Sequence, residues 1–214
     1  MKGFKSLIIL APLVYALHHY EEHVIFNFRQ WRLKYFLDNN SLSTEEVLLR
    51  LMSLLLIAII IHSIKNNRGS AHIVMFFLMT TQVVNALFHI FFSLYFLDFS
   101  PGAITATALY LPANYLIFRA AFNEGYLRST TELFLLFLAA ILTFTLFELT
   151  GPMVIGYSIV VMPFYYKLIN RLNKFWLCFI KERQTLRQRL KIKTKHPTKH
   201  FWFLQRMPWL QHRK

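Results

Sequence analysis

Apolar residues run along this chain in six long stretches, roughly 5–26, 46–65, 71–97, 103–122, 131–150 and 152–169, and polar punctuation falls between them. Each stretch approaches the ~20 residues that a helix needs to cross ~30 Å of hydrocarbon. Ser43 and Glu46 have capping-box spacing ahead of the second stretch, and Asn66, Asn67 and Gly69 follow it. Pro101-Gly102 and Gly151-Pro152 separate later stretches, and Pro112 is expected to kink the fourth. Alternating ten-residue segments, the mark of a membrane barrel, do not occur. The pattern predicts an all-α polytopic membrane bundle of about six transmembrane helices.

Composition agrees: 56% of the 214 residues are hydrophobic and only 16% charged, against about a quarter in soluble domains. The single cysteine, Cys178, excludes an intramolecular disulfide. The net charge of +14 is concentrated in one place: from Lys167 to Lys214 there are fourteen Lys/Arg against Glu182 alone. This divides the chain into a bundle over 1–169 and a basic tail over 170–214. In the tail Leu168, Leu172, Phe175, Trp176, Phe179, Leu186 and Leu190 recur at helical spacing among Arg and Lys, which predicts a basic amphipathic helix. Phe201 to Leu204 and Trp209-Leu210 add aromatic anchors. Anionic lipid surface is the expected partner of this tail, and no specific nucleic-acid binding is expected, since no recognition fold accompanies the charge.

Basic residues near both termini and in the second and fourth connections place both termini on the cytoplasmic side, in the manner of a bacterial inner-membrane protein. Residues 27–45 dissent, because Arg29, Arg32 and Lys34 fall on the outer side. Phe26, Phe28, Trp31 and Phe36 interleave with them, so an interfacial helix is expected there. Lys2, Lys5 and the apolar run after them are read as an uncleaved first span, since no small-x-small cleavage site follows.

The first span carries His18-His19-Tyr20-Glu21-Glu22-His23, costly in a bilayer unless an internal polar cavity receives it. At ~100° per residue His18, Glu21 and Glu22 share a helix face. Gln82, Asn85, His89 and Ser93 form a polar stripe on the third span, Thr107, Tyr110 and Asn114 a weaker one on the fourth, and Glu148 ends the fifth. In the six-helix topology His18, Glu21, Glu22, Asn85, His89 and Glu148 all fall in the outer half and become the candidate site. His62 and His72 fall at inner ends and are read as interfacial.

His18-His19-Tyr20-Glu21-Glu22 fits the pattern H-x-x-E-E and resembles the HXXEE-domain family of small membrane proteins. Asn85-Ala86-Leu87-Phe88-His89, Pro101-Gly102-Ala103-Ile104-Thr105 and Leu111-Pro112 also look like blocks of that family, over about residues 5–165. The resemblance supports the choice of His18, Glu21, Glu22, Asn85 and His89 but implies no reaction.

Two chemistries suit the cluster. A divalent metal, zinc or iron, held by His18, Glu22 and His89 with Glu21 as base is one. Metal-free proton transfer between a glutamate and a histidine is the other, favoured because nothing in the sequence specifies a second shell behind the histidines. The overlapping His19-x-x-Glu22-His23 also matches a zinc-protease pattern, without a third ligand. The expected function is a membrane-embedded enzyme that acts on a lipid or isoprenoid-like substrate, the rivals being a transporter or proton path and a non-catalytic scaffold.

Overall fold

The computed structural model describes the backbone of residues 3–37 and 42–195, with side chains as far as Leu186. Among these residues the chain is helical throughout and has no strand, as the apolar pattern predicts. The chain divides into two compact units, Met1–Asn170 and Arg171–Lys214.

In the first unit, α1 (Phe4–Leu7) and α2 (Leu10–Tyr20) lead into a π-helical turn, Glu21–Ile25, and a short α3 (Phe28–Tyr35) follows. Next come α4 (Thr44–Lys65) and a central helix built from α5 (Arg68–Leu78), a π-turn at Met79–Val84 and α6 (Asn85–Phe96). A segment of α7 (Ala103–Thr105), a third π-turn at Ala106–Tyr110 and α8 (Leu111–Asn123) precedes α9 (Thr130–Thr150) and α10 (Met153–Lys195). The capping box expected at the start of α4 is formed: the Ser43 side chain accepts from the Glu46 N–H, and the Glu46 carboxylate accepts from the Ser43 N–H.

Among the described residues four helices, where about six were expected, are long and apolar enough to cross a membrane: Thr44–Lys65, Arg68–Phe96, Thr130–Thr150 and Met153–Leu186. The first expected span comes apart into pieces of 4, 11 and 5 residues, each far short of a bilayer crossing. The fourth is interrupted by the π-turn just before Pro112, a residue with no N–H to continue the i−4 ladder. Both broken segments nevertheless run between the same two ends of the unit as the four long helices. At one end Glu124 accepts from the Phe4 N–H at 2.6 Å, and Arg68 pairs with Glu132. At the other, Arg32 meets Glu148 at 3.0 Å and Tyr35 meets Asp98 at 2.8 Å.

The central helix is the most enclosed, with 44% of its span window buried against 11–17% for the other three. Their outward leucines and isoleucines, such as Leu56, Ile60, Leu138 and Leu142, are exposed, which suits a lipid face. Alanines 58, 71, 86, 120, 121 and 140 are buried and let the helices approach closely, the usual basis of packing in a membrane. Fully buried Phe4, Ile8, Leu55, Met75, Leu78 and Ile117 fill the end nearest α1.

His62 and His72, expected at an interface, are buried instead. His62 Nδ1 bonds the Ser70 hydroxyl at 3.0 Å, while His72 contacts Tyr126 O at 2.9 Å and the Tyr165 hydroxyl at 3.1 Å. The turns at Asn66 and Gly125 fold the chain back over them, a tertiary effect invisible to helix position alone.

In the second unit the helix continues as far as Lys195, in agreement with the amphipathic pattern, and the Arg183 guanidinium lies 4.5 Å from the Phe179 ring centroid. The expected anchors at Phe201–Leu204 and Trp209-Leu210 lie outside the described residues.

Candidate functional site

His18 leaves α2 one turn before the π-turn begins, and Glu22 sits within it. At i and i+4 the two side chains share a face, with His18 Nε2 3.3 Å from Glu22 Oε1. The central helix brings His89 to the same oxygen: His89 Nε2 lies 2.8 Å from Glu22 Oε1. All three residues are buried. Asn85, one turn before His89, donates from Nδ2 to His18 Nε2 at 3.0 Å. Four of the six candidate residues therefore come together around one carboxylate oxygen.

Each histidine is held from behind. His18 Nδ1 is 2.9 Å from Thr105 Oγ1, and His89 Nδ1 is 2.9 Å from Ser100 Oγ. Ser100 is itself fixed, because its N–H donates to Ser93 Oγ at 2.9 Å. Aromatic rings complete the packing: Tyr110 lies against His18 with centroids 4.3 Å apart, and Phe28 from α3 against His89 at 5.3 Å. Tyr110 OH is buried with no hydrogen-bond partner among the described residues.

The wall opposite the imidazoles is Gly102. Its φ is +94°, a left-handed conformation natural to glycine. A Cβ there would stand 2.7 Å from Glu22 Cγ, 2.8 Å from His18 Cε1 and 3.1 Å from His89 Cε1. The Pro101-Gly102 break between two spans is thus a surface of the site.

Glu21 does something different from its neighbour. Its carboxylate accepts from the Ile104 N–H at 3.2 Å and from the Thr105 N–H at 2.6 Å, the first free donors of the helical segment that starts at Ala103. A buried carboxylate satisfying helix-start N–H groups is a capping arrangement supplied from another helix. Glu21 thereby ties the first span to the segment that carries Gly102 and Thr105.

Glu148 is not brought to the cluster. Its Oε2 accepts from Arg32 Nε at 3.2 Å and from an Arg32 terminal nitrogen at 3.0 Å, although the residue lines the same cavity. The dissenting 27–45 connection is explained in part by this pair and by Lys34 beside Asp98 at 3.5 Å. The Tyr35 hydroxyl, donating to Asp98, holds that exposed carboxyl below the usual aspartate range, with Lys34 adding to the effect. Trp31 is buried among Phe28, Tyr35, Phe36 and Phe96, so α3 is a packed cover over this end.

Gln82 and Asn114 form a separate polar knot. Asn114 Nδ2 donates to Gln82 Oε1 at 2.8 Å and to Tyr110 O at 2.9 Å, while Gln82 Nε2 donates to Ala11 O at 3.0 Å. Every partner is backbone or amide, which is interhelical adhesion rather than chemistry.

The cluster faces a cavity of ≈ 200 Å³. His18, His19, Glu22 and Asn85 supply its polar side, and Phe76, Phe77, Leu51, Phe144, Phe147 and Ile155 much of its apolar side. Ser100, Gly102 and Thr105 were not singled out by helical periodicity. They lie at a span break, and only the resemblance of the Pro101–Thr105 block to a family pattern pointed there.

The sequence model of a family described as "Protein of unknown function with HXXEE motif" matches residues 9–117, from just before α2 to the middle of α8. No curated protein and no solved structure matches the chain.

Proposed function

The chain belongs to the HXXEE-motif family, and because the residues of that motif build the buried cluster beside the cavity, we propose that it is a membrane-embedded enzyme acting on a lipid or isoprenoid-like substrate. The observation that carries this reading is that His18 and Glu22, with His89 buried directly behind the Glu22 carboxylate, stand at one edge of a cavity whose walls include six phenylalanines and several aliphatic side chains beside Arg29, Arg32 and Glu148. A hydrocarbon chain fills such walls without loss of hydrogen bonds, and a reacting double bond or ester then lies against the cluster. Two imidazoles flanking one carboxylate can take a proton from a substrate and return it elsewhere while the net charge of the buried group stays constant. Isomerisation or cyclisation of an alkene and hydrolysis of a lipid bond are the reactions that this suits.

A proton path or transporter is the rival. Fully buried Phe4, Leu55, Leu78 and Ile117 interrupt the polar groups toward the far end, among them Gln82, Asn114, His62 and His72, and this favours the enzyme. Expression of the wild-type protein and of the isosteric Glu22→Gln variant in the same bacterial host, followed by mass spectrometry of total lipids, tests the reading. At least one lipid species is expected to change by about tenfold or more with the wild type and not with the variant. Identical lipid profiles would turn the assignment toward transport or scaffolding.

The proposed setting is the bacterial inner membrane with both termini in the cytoplasm, which puts the cluster in the outer half. Arg119, near the end of α8, and Arg128, in the connection after it, lie toward the end where Phe4 meets Glu124, as the positive-inside rule asks. In a Cys178→Ser background, an impermeant thiol reagent added outside should label Leu37→Cys and spare Asn123→Cys. The reverse pattern would invert the topology. The tail is proposed to bind anionic lipid through its basic face.

A further inference from the structure

We infer that His18, Glu22 and His89 bind a single divalent first-row transition ion of the zinc or iron class, with its open coordination position toward the cavity. The ligand atoms His18 Nε2, Glu22 Oε1 and His89 Nε2 all lie within 4.8 Å of one another. Of the two edges to Glu22 Oε1, that from His18 Nε2, 3.3 Å, equals the ~3.3 Å that separates ligand atoms around a tetrahedral ion with ~2.0–2.1 Å bonds, and that from His89 Nε2, 2.8 Å, would open by about 0.5 Å on binding.

The hydrogen bonds set which nitrogen carries a lone pair. Asn85 Nδ2 can only donate, so the His18 Nε2 that it meets is an acceptor, and the proton of that ring is on Nδ1, directed at Thr105 Oγ1. His89 Nδ1 has Ser100 as its partner, while His89 Nε2, fully buried, makes no aligned hydrogen bond even though Glu22 Oε1 is 2.8 Å away. Where Ser100 Oγ accepts from His89 Nδ1, His89 Nε2 carries a lone pair as well, and both imidazole nitrogens then face the Glu22 carboxylate oxygen at a common point, where a bound ion would take the His18 lone pair from the Asn85 amide. That arrangement is repulsive without a cation at the point, and a buried polar atom left without a partner is costly.

The second shell missing from the sequence reading is present. Thr105 and Ser100 orient the two rings from their far nitrogens, as hydroxyl or carbonyl partners do behind metal-bound histidines. Gly102 leaves no Cβ against the three ligands. Two histidines and one carboxylate leave room for a water or substrate as a further ligand, the composition of catalytic zinc and non-haem iron sites.

A second triad, His19, Glu22 and His23, also brings its ligand atoms together, on the other side of the same glutamate. Its histidines are partly exposed and are fixed by no hydroxyl among the described hydrogen bonds, so the buried triad is the one assigned.

Elemental analysis of the full-length protein purified without chelator tests the assignment, followed by stripping and reloading with Zn²⁺, Fe²⁺ or Co²⁺. About one ion per chain is expected, with visible Co²⁺ absorption of a low-coordinate site. His89→Ala should lose the ion and His23→Ala keep it. Ser100→Ala, which leaves all three ligands in place, should bind Co²⁺ about tenfold or more weakly. A wild-type protein that takes up no ion after stripping overturns the inference. So does metal that His23→Ala removes and His89→Ala retains, or a Co²⁺ affinity indifferent to Ser100→Ala. Because the readout is bound metal, a stoichiometric ion without change in any lipid would sustain this inference while removing the enzyme reading.

Discussion

Gly102→Ala should destabilise the protein by on the order of 2–5 kcal/mol and empty the site of function. Two costs combine. The left-handed φ of +94° penalises any Cβ by about 1–2 kcal/mol, and forcing a methyl group to within 2.7 and 2.8 Å of Glu22 and His18 adds the ~1–3 kcal/mol typical of overpacking. The clash falls on Glu22, His18 and His89 themselves, so loss of the proposed site should exceed loss of fold. Gly125→Ala provides the comparison. Its φ is +75°, yet a Cβ there would meet nothing within 4 Å, so only the conformational cost remains. Thermal unfolding of both variants in the same detergent should show the larger drop for Gly102→Ala. Equal drops would mean that Gly102 does not press on the cluster, and the site geometry would be in error.

The two adjacent glutamates of the motif should give opposite phenotypes. Glu21→Ala leaves the part-buried Ile104 and Thr105 N–H groups without their acceptor, at up to about 1–3 kcal/mol for each. A total on the order of 2–6 kcal/mol is a large share of the stability of a small protein, and such a variant should express poorly or melt early. Glu22→Gln keeps the shape of its residue. Its partners are the imidazoles of His18, His23 and His89, so the fold should persist while turnover and metal binding fall by orders of magnitude. Melting temperature and bound metal measured side by side separate the two. A folded, inactive Glu21→Ala variant beside an active Glu22→Gln variant would reverse the roles.

What the sequence made legible follows from the range of each signal. Long apolar runs and the Ser43–Glu46 cap are local, and α4, α9 and the central helix match them within a few residues. His18, Glu22, Asn85 and His89 stood out because polar groups within greasy helices need one another, and the fold joins them. Glu21 was grouped with them by helix face and by its place in the H-x-x-E-E pattern. The π-turn that starts at this residue and the partners at 104 and 105 give it its separate position. Glu148 sits at the right depth but meets Arg32, a residue in a connection whose path no periodicity describes. Ser100 and Gly102 were hidden for the opposite reason, since serine and glycine at a helix break are ordinary and only tertiary contact makes them part of a site. The same lack of long-range information left His62 and His72 misplaced.

The broken first span also constrains how the protein is made. Glu21 finds its acceptor role only with residues 83 and 84 positions further along the chain, and His18 meets Thr105 across a separation of 87. During synthesis the translocon therefore receives a short, doubly acidic segment long before its partners exist. Lateral release of that segment alone would carry two unpaired carboxylates into hydrocarbon, which insertion energetics oppose. Integration of the first segment is therefore expected to wait for the chain to emerge beyond Thr105, so that its entry into the membrane and the first appearance of the cluster coincide.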